Sequence, residues 1–311
     1  MKKRAAIGID IGGTRTKSGL VDLEKGIVLE TIITPTEKKD SEVFLQIISS
    51  AIDKLKTAAF RENASLLGVG FGVTSFVFED GMVDSTYGFL EFMEDYPLSK
   101  FIENHSSLPC RADNDARVVA LGEALYGKGK GYNRVLVLTL GTGLGLGFVA
   151  NGRFETHLPY AHMGGHMSIN PSGFKCYCGK VGCLESLVSS TGIVASANRL
   201  NWEAKYPELP LNVETIFKAE QEGNPDASVI VSEFLSNLKT GIDNYINIFA
   251  PDIIIIGGGI AKGMEPYLDK LTILDFCKPF KSYKVIIALS ELDEHSGILG
   301  SAALFKVPKV S

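Results

Sequence analysis

Two stretches of this chain share one local design, and that duplication constrains the fold more than any other feature. Residues 5–22 read as an apolar strand (AAIGID), a glycine-rich turn (IGGT) and a second strand (KSGLVD). Residues 135–151 repeat the plan as VLVLTL, GTGLG and LGFVAN, with Thr142 standing 128 residues after Thr14. Two similar halves follow from this. Around the hairpins, strand and helix patterns alternate. Phe44, Ile48, Ile52, Leu55 and Ala59 have helical spacing behind a cap at Asp40 or Ser41. The run 66–78 suits a buried strand, and Val118, Leu121 and Leu125 form one stripe of a helix over 116–126. A long amphipathic helix is expected over 226–249. It is followed by four consecutive isoleucines that read as a strand covered on both faces. Residues 284–288 resemble a further strand and 297–305 a closing helix. The expectation is an α/β protein of two lobes with a cleft between them.

The length of 311 residues fits two domains, and 45% apolar with 22% charged residues is the balance of a soluble globular protein. A net charge of −5 argues against a general nucleic-acid or anionic-membrane binder. The opening MKKRAAIGIDIGGT has no apolar stretch of signal-peptide length, which predicts a cytoplasmic protein. The longest uncharged stretch, 135–152, carries five glycines and alternates like a hairpin, so no membrane span is expected.

Three glycine clusters and one acidic cluster could carry chemistry. Asp10-Ile-Gly-Gly-Thr-Arg-Thr-Lys17 ends a strand; Gly12 and Gly13 allow backbone N–H groups close to an anion, Thr14 adds a hydroxyl, and Asp10 can hold a hydrated magnesium ion. A plain hairpin turn is the alternative. The spacing is neither that of a Walker loop nor that of a dinucleotide fingerprint, which disfavours a Rossmann oxidoreductase. Gly141-Thr142-Gly143 has the same build, and two such turns can close on a phosphate chain from opposite sides. Gly257-Gly258-Gly259 offers a flat surface for an adenosine, or simply a turn from strand to helix. Asp113-Asn114-Asp115 precedes the helix near Ala116, where a carboxylate would stay ionised at the positive helix end and accept a proton from a hydroxyl. One of the two aspartates is expected only to cap.

His166, Cys176, Cys178 and Cys183, spaced H-x9-C-x-C-x4-C, are the most specific local signal. One His and three Cys within 18 residues supply a closed tetrahedral donor set for zinc, with Gly173, Gly179 and Gly182 permitting the tight turns. With all four positions filled by protein, such a zinc is structural. It would also fix the loop that carries Glu185.

Asp10-Ile-Gly-Gly-Thr, Asn114-Asp115-Ala116, Leu140-Gly-Thr-Gly, Gly165-His166, Cys176-x-Cys178-Gly179-x-x-Gly182-Cys183-Leu184-Glu185 and Ile256-Gly-Gly-Gly, in this order, resemble the ROK family of sugar kinases and sugar-responsive repressors. The resemblance spans nearly the whole chain, including Gly297-x-x-Gly300-Ser-Ala-Ala at its end. It implies a two-lobed actin/hexokinase-like fold of two ribonuclease-H-like lobes, one at 1–117 plus about 297–311 and the other at 118–296 with the zinc loop at 166–183. It implies ATP with magnesium as phosphate donor and Asp115 as general base towards a sugar hydroxyl, usually on C6. Asn114, His166 and Glu185 then become sugar ligands, the free ring nitrogen of His166 touching the sugar. Asp10, Gly12, Gly13, Thr14, Lys17, Gly141, Thr142 and Gly143 become the phosphate and magnesium grips, and Gly257, Gly258 and Gly259 the adenosine side. A homodimer is implied by family habit alone. Repressors of the family carry a DNA-binding segment before the first turn, for which Asp10 leaves no room, so no nucleic-acid partner is expected. Two sugar ligands depart from the family pattern. Met163 stands where a Glu-x-Gly-His carboxylate is usual, with His157 or His162 as possible substitutes. Tyr87-Gly88-Phe89 replaces a Pro-Asn-Leu, and Gly68 to Thr74 lacks the usual Val-Pro-Gly-Pro turn. These departures leave the sugar open and motivate a second reading, a catalytically silent sugar sensor.

Overall fold

The computed structural model describes residues 2–78, 81–84, 90–154, 161–272 and 283–307. Tyr87, Gly88, Phe89, His157 and Cys277 therefore lie outside the described residues. The chain divides into two compact units, 1–133 with 147–159 and 291–311, and 134–146 with 160–290.

In the first unit β1 (Lys3–Ile11), β2 (Arg15–Asp22) and β3 (Ile27–Pro35) run antiparallel. Helix α1 (Ser41–Arg61) follows, with Asp40 as its cap, accepting the N–H groups of Glu42 and Val43. β4 (Ala64–Val73) then lies parallel to β1, a two-stranded ribbon β5 (Phe76–Val77) and β6 (Val83–Asp84) intervenes, and α2 (Leu98–Ser106) leads into β7 (Cys110–Asn114). β7 pairs parallel with β4, giving the sheet order β3-β2-β1-β4-β7. The period of two along β1 sorts its side chains. Ala5, Ile7, Ile9 and Ile11 join Phe44, Ile48, Ile52 and Leu55 of α1 in one core, each buried. Side chains of this kind contribute about 1.5–3 kcal/mol apiece when fully buried. The opposite face of β1 presents Ala6, Gly8 and Asp10.

That second face is made for close approach. Helix α3 (Asp115–Tyr126) and the last helix of the chain, residues 296–303, pack on it and on each other. A Cβ at Gly8 would collide with the carbonyl of Ile298, and one at Gly70 with the carbonyl of Ser301. A Cβ at Gly300 would strike the carbonyl of Val118, and one at Gly122 would stand 2.9 Å from the Ser296 oxygen. The contacts along all of α3 explain why the first unit reaches residue 133, past the boundary expected at 117.

In the second unit β8 (Arg134–Leu140) turns at 141–143 into β9 (Leu144–Ala150), which enters the first unit at residue 147 and pairs there with β10 (Arg153–Phe154). Gly147 lies against Ala116 and Ala120 of α3, which ties that half of β9 to the first unit. Beyond the loop at 166–183 come α4 (Leu184–Val188), α5 (Ser190–Arg199), α6 (Trp202–Lys205) and α7 (Val213–Gln221). Helix α8 (Pro225–Phe249) starts behind an Asn224 cap with proline in its first turn, where the missing N–H costs nothing. β11 (Ile253–Gly257) pairs parallel with β8, and β12 (Ile286–Leu289) follows α9 (Leu268–Thr272) to pair parallel with β11. All four isoleucines of β11 are buried, as a strand covered on both faces requires. The last helix, α10 (Ser296–Ala303), returns to the first unit. Among the described residues no helix is long and apolar enough to cross a membrane.

Candidate active site and metal centre

The first unit gathers two carboxylates. Asp10 sits one residue before the end of β1, on the face that meets α10, and Gly297 makes room for it: a Cβ there would collide with the Asp10 carboxyl group. Asp115 is the first residue of α3. Its Oδ1 accepts the N–H of Ala116 at 2.8 Å and its Oδ2 the hydroxyl of Thr74 at 3.0 Å. Burial pushes the Asp115 carboxyl above its ordinary range, with the Thr74 hydroxyl and the Ala116 N–H pulling the other way. The sequence led us to expect an ionised group held down by the helix end; burial outweighs it. Asp10 is pushed up to about 6, first by burial and then by the charge of Asp115, against the pull of Lys17. Lys17 itself forms an ion pair with Glu294 at 3.5 Å.

The neighbours of Asp115 divide the remaining work. Asn114 is the cap of α3; its Oδ1 accepts the N–H groups of Ala116 and Arg117 and its amide donates to the Ser75 carbonyl at 3.1 Å. The Asn114 side chain also hydrogen-bonds the Asp115 carboxyl group. Asp113 is held by Arg117, with Nε to Oδ1 at 2.7 Å, and the guanidinium also lies over the Phe154 ring. Asp113 is thus held by ion pairing and not by capping.

The two glycine turns are tied down alike. In the first, the Gly12 N–H donates to Arg15, the Thr36 hydroxyl donates to the Gly12 carbonyl at 2.8 Å, and the Thr36 N–H to the Thr14 carbonyl at 3.0 Å. In the second, Gly141 accepts from Ser190 N–H at 2.8 Å, Thr142 from the Thr191 hydroxyl at 3.4 Å, and Gly143 from Gly141 N–H at 3.0 Å. Turn carbonyls that are already bonded to protein do not face an incoming anion, while Gly13, Thr14 and Thr142 stay exposed at the tips. The third cluster is a turn from strand into a short 3-10 helix, Ile260–Gly263. Gly258 has φ +88°, and a Cβ there would collide with the Leu140 backbone; Gly259 faces open space.

The metal loop folds as its glycines allow, with Gly179 and Gly182 at φ 90° and 68°. His166, Cys176, Cys178 and Cys183 bring one donor atom each to within 4.8 Å of one another. Cys178 and Cys183 sulfurs stand 3.6 Å apart, and the His166 Nδ1 is 3.5 Å from the Cys176 sulfur. A zinc tetrahedron with bonds of ~2.3 Å has edges of roughly 3.8 Å, so the donor set fits that ion. The other ring nitrogen of His166, Nε2, meets the Tyr177 hydroxyl at 3.1 Å. The sequence reading passed over Tyr177, which looks like a spacer between two cysteines. Glu185 follows Cys183 by two residues; its Oε1 is 3.8 Å from His166 Nδ1 and its Oε2 accepts the Leu144 N–H at 3.0 Å. Met163 is 42% exposed beside this loop.

Asp10 and Asp115 are thus assembled by β1, α3 and α10, while His166 and Glu185 are assembled by the metal loop and α4. The fold that carries both groups is α/β, of the actin/hexokinase-like kind. The chain belongs to the ROK family, whose model matches residues 6–307. A glucokinase of Halalkalibacterium halodurans is 31% identical to it, over 98% of this chain and 96% of that protein. A xylose repressor of Caldicellulosiruptor bescii is 26% identical over 96% of this chain and 77% of the repressor. The crystal structure of a ROK family glucokinase from Streptomyces griseus, in complex with glucose and AMPPNP, has a TM-score of 0.75 at 26% identity, covering 96% of this chain and 98% of that one.

Proposed function

We propose that this ROK-family sugar kinase transfers the γ-phosphoryl group of ATP to a hydroxyl of a hexose or N-acetylated amino sugar, the 6-hydroxyl, with Asp115 as general base. The observation that carries the reading is the setting of Asp115: a carboxylate fixed by Thr74 and Ala116, raised by burial and crowded by Asp10. A carboxylate so raised is a stronger base than a free one, which suits it to take a hydroxyl proton. As Asp115 takes it, the sugar oxygen bonds to the γ-phosphorus and the bond to the β-phosphate oxygen breaks, releasing ADP. Magnesium bound with the nucleotide would supply positive charge to the phosphates, and Asp10 would hold its water shell. In the turns at Gly12-Gly13-Thr14 and Gly141-Thr142-Gly143 the exposed tips, Gly13, Thr14 and Thr142, present N–H groups to the phosphates, Lys17 exchanges Glu294 for them, and Gly257 to Gly259 form the adenosine side. His166, Glu185 and Asn114 receive sugar hydroxyls. His166, Cys176, Cys178 and Cys183 would hold a structural zinc. The protein acts in the cytoplasm as a homodimer, without a nucleic-acid partner.

Asp115→Asn tests the assignment. Turnover should fall about 10²–10⁴-fold while Mg–AMPPNP binding persists, and wild-type-like turnover would remove Asp115 from the mechanism. The exposed Met163 favours one other reading, a silent sugar sensor, because a site without that carboxylate matches fewer sugar hydroxyls. ADP release measured over hexoses, amino sugars and their N-acetyl forms separates the two: a sensor binds one of them and turns over none.

A further inference from the structure

We infer that Glu185 is a positioning residue for the nucleotide, holding the Gly141–Gly143 turn through the backbone N–H of Leu144. The inference rests on the reading of that turn as a phosphate grip. Cys183 caps α4, and Glu185 lies in its first turn. The Leu184 N–H is anchored on the Met167 carbonyl at 2.9 Å, so the helix starts from the metal loop itself. From there the chain grips the turn at three points: Glu185 Oε2 on Leu144 N–H at 3.0 Å, Ser190 N–H on the Gly141 carbonyl at 2.8 Å, and the Thr191 hydroxyl on the Thr142 carbonyl at 3.4 Å. Ser189, fully buried between α4 and α5, shares a hydroxyl contact with Thr191 at 2.7 Å. Gly143 lies so near that a Cβ on it would stand 2.8 Å from the same Glu185 oxygen. A charged acceptor on a backbone N–H is among the stronger hydrogen bonds. It also holds the carboxylate's charge on a donor beside a turn that must receive phosphates.

The test is calorimetric titration of the full-length protein with Mg–AMPPNP in the absence of sugar, with metal content and melting temperature measured on each variant. Glu185→Ala should weaken nucleotide binding about tenfold. Glu185→Gln, whose amide oxygen can still accept from Leu144, should stay within about twofold of wild type, although both variants lose the carboxylate offered to the sugar. Gly143→Ala, which displaces the carboxylate, should weaken binding as Glu185→Ala does and cost nothing further in the Glu185→Ala background. Additive losses, or equal losses in the Ala and Gln variants, would overturn the proposal. Thr142→Glu, a negative charge on the exposed tip, separates the two levels. Nucleotide binding lost there but intact in Glu185→Ala overturns the positioning role and leaves the phosphate grip standing. Binding intact in both removes the grip and the proposal with it.

Discussion

Asp10 and Asp115 put two carboxylates of like charge into one partly buried corner of the first unit, whereas His166, Cys176, Cys178 and Cys183 put four soft donors around one point in the second. Burial raises both carboxylates, and the charge of Asp115 raises Asp10 further. Nothing in the fold needs that repulsion; a pair of apolar residues would serve β1 and α3 better. The donor cluster is of the opposite kind, because one cation would satisfy every member and order the loop. Polar groups that repel when the protein stands alone mark where a ligand completes the structure, and groups that satisfy one another around a metal mark where the structure completes itself.

Removing a member from each cluster tests this contrast most strongly. Cys183→Ser should abolish metal binding, from about one zinc per chain in the wild type, and lower the melting temperature by roughly 10 °C or more. A variant that keeps its melting temperature would make the cluster dispensable and erase the contrast. Asp10→Asn should act in the other direction. An acid raised from 3.8 to about 6 binds its proton more tightly in the folded chain. The Asp10 contribution to stability is therefore fullest below about pH 4, falls as pH rises to about 6, and stays low above it. The neutral variant escapes that loss, so at about pH 8 it should gain on the order of 2–3 kcal/mol over the wild type, and near pH 4 almost nothing. Denaturant unfolding at the two pH values gives the comparison, and an equal difference at both would show that Asp10 carries no burial cost. The same substitution should still impair turnover, since the stabilised form lacks the carboxylate offered to magnesium.

Much of this was readable before any coordinates. Hairpins encode themselves in local alternation around glycine, and a metal loop encodes itself in donor spacing, so both turns and all four donors stood out. The division of labour among Asp113, Asn114 and Asp115 did not. Their hydrogen-bond partners are Arg117, Ser75 and Thr74, the last two about forty residues away along the chain, and adjacency in sequence does not reveal them. Thr36, which staples the first turn, and Ser190 and Thr191, which staple the second, are ordinary polar residues whose partners only folding supplies. The extent of the first unit was hidden for the same reason: the glycines of α3 and α10 show their purpose only when the two helices meet.

Tyr177 gives the finest probe of the second cluster, and the smallest expected effect. The residue is 66% exposed, yet its hydroxyl meets His166 Nε2 at 3.1 Å, the nitrogen that the family resemblance assigns to the sugar. A sugar hydroxyl reaching that nitrogen must replace the tyrosine hydroxyl, and the exchange gains little while the phenol is present. Tyr177→Phe removes the competitor and leaves the ring beside the imidazole, where the two are stacked edge to face at 5.1 Å. A single hydrogen bond of this kind is worth about 0.5–1.5 kcal/mol, so the sugar KM should fall roughly two- to tenfold, with the KM for ATP, the metal content and the melting temperature unchanged. A raised sugar KM would instead make Tyr177 a support that orients His166. An unchanged one would place the sugar away from Nε2, and the metal loop would then serve the site through Glu185 alone.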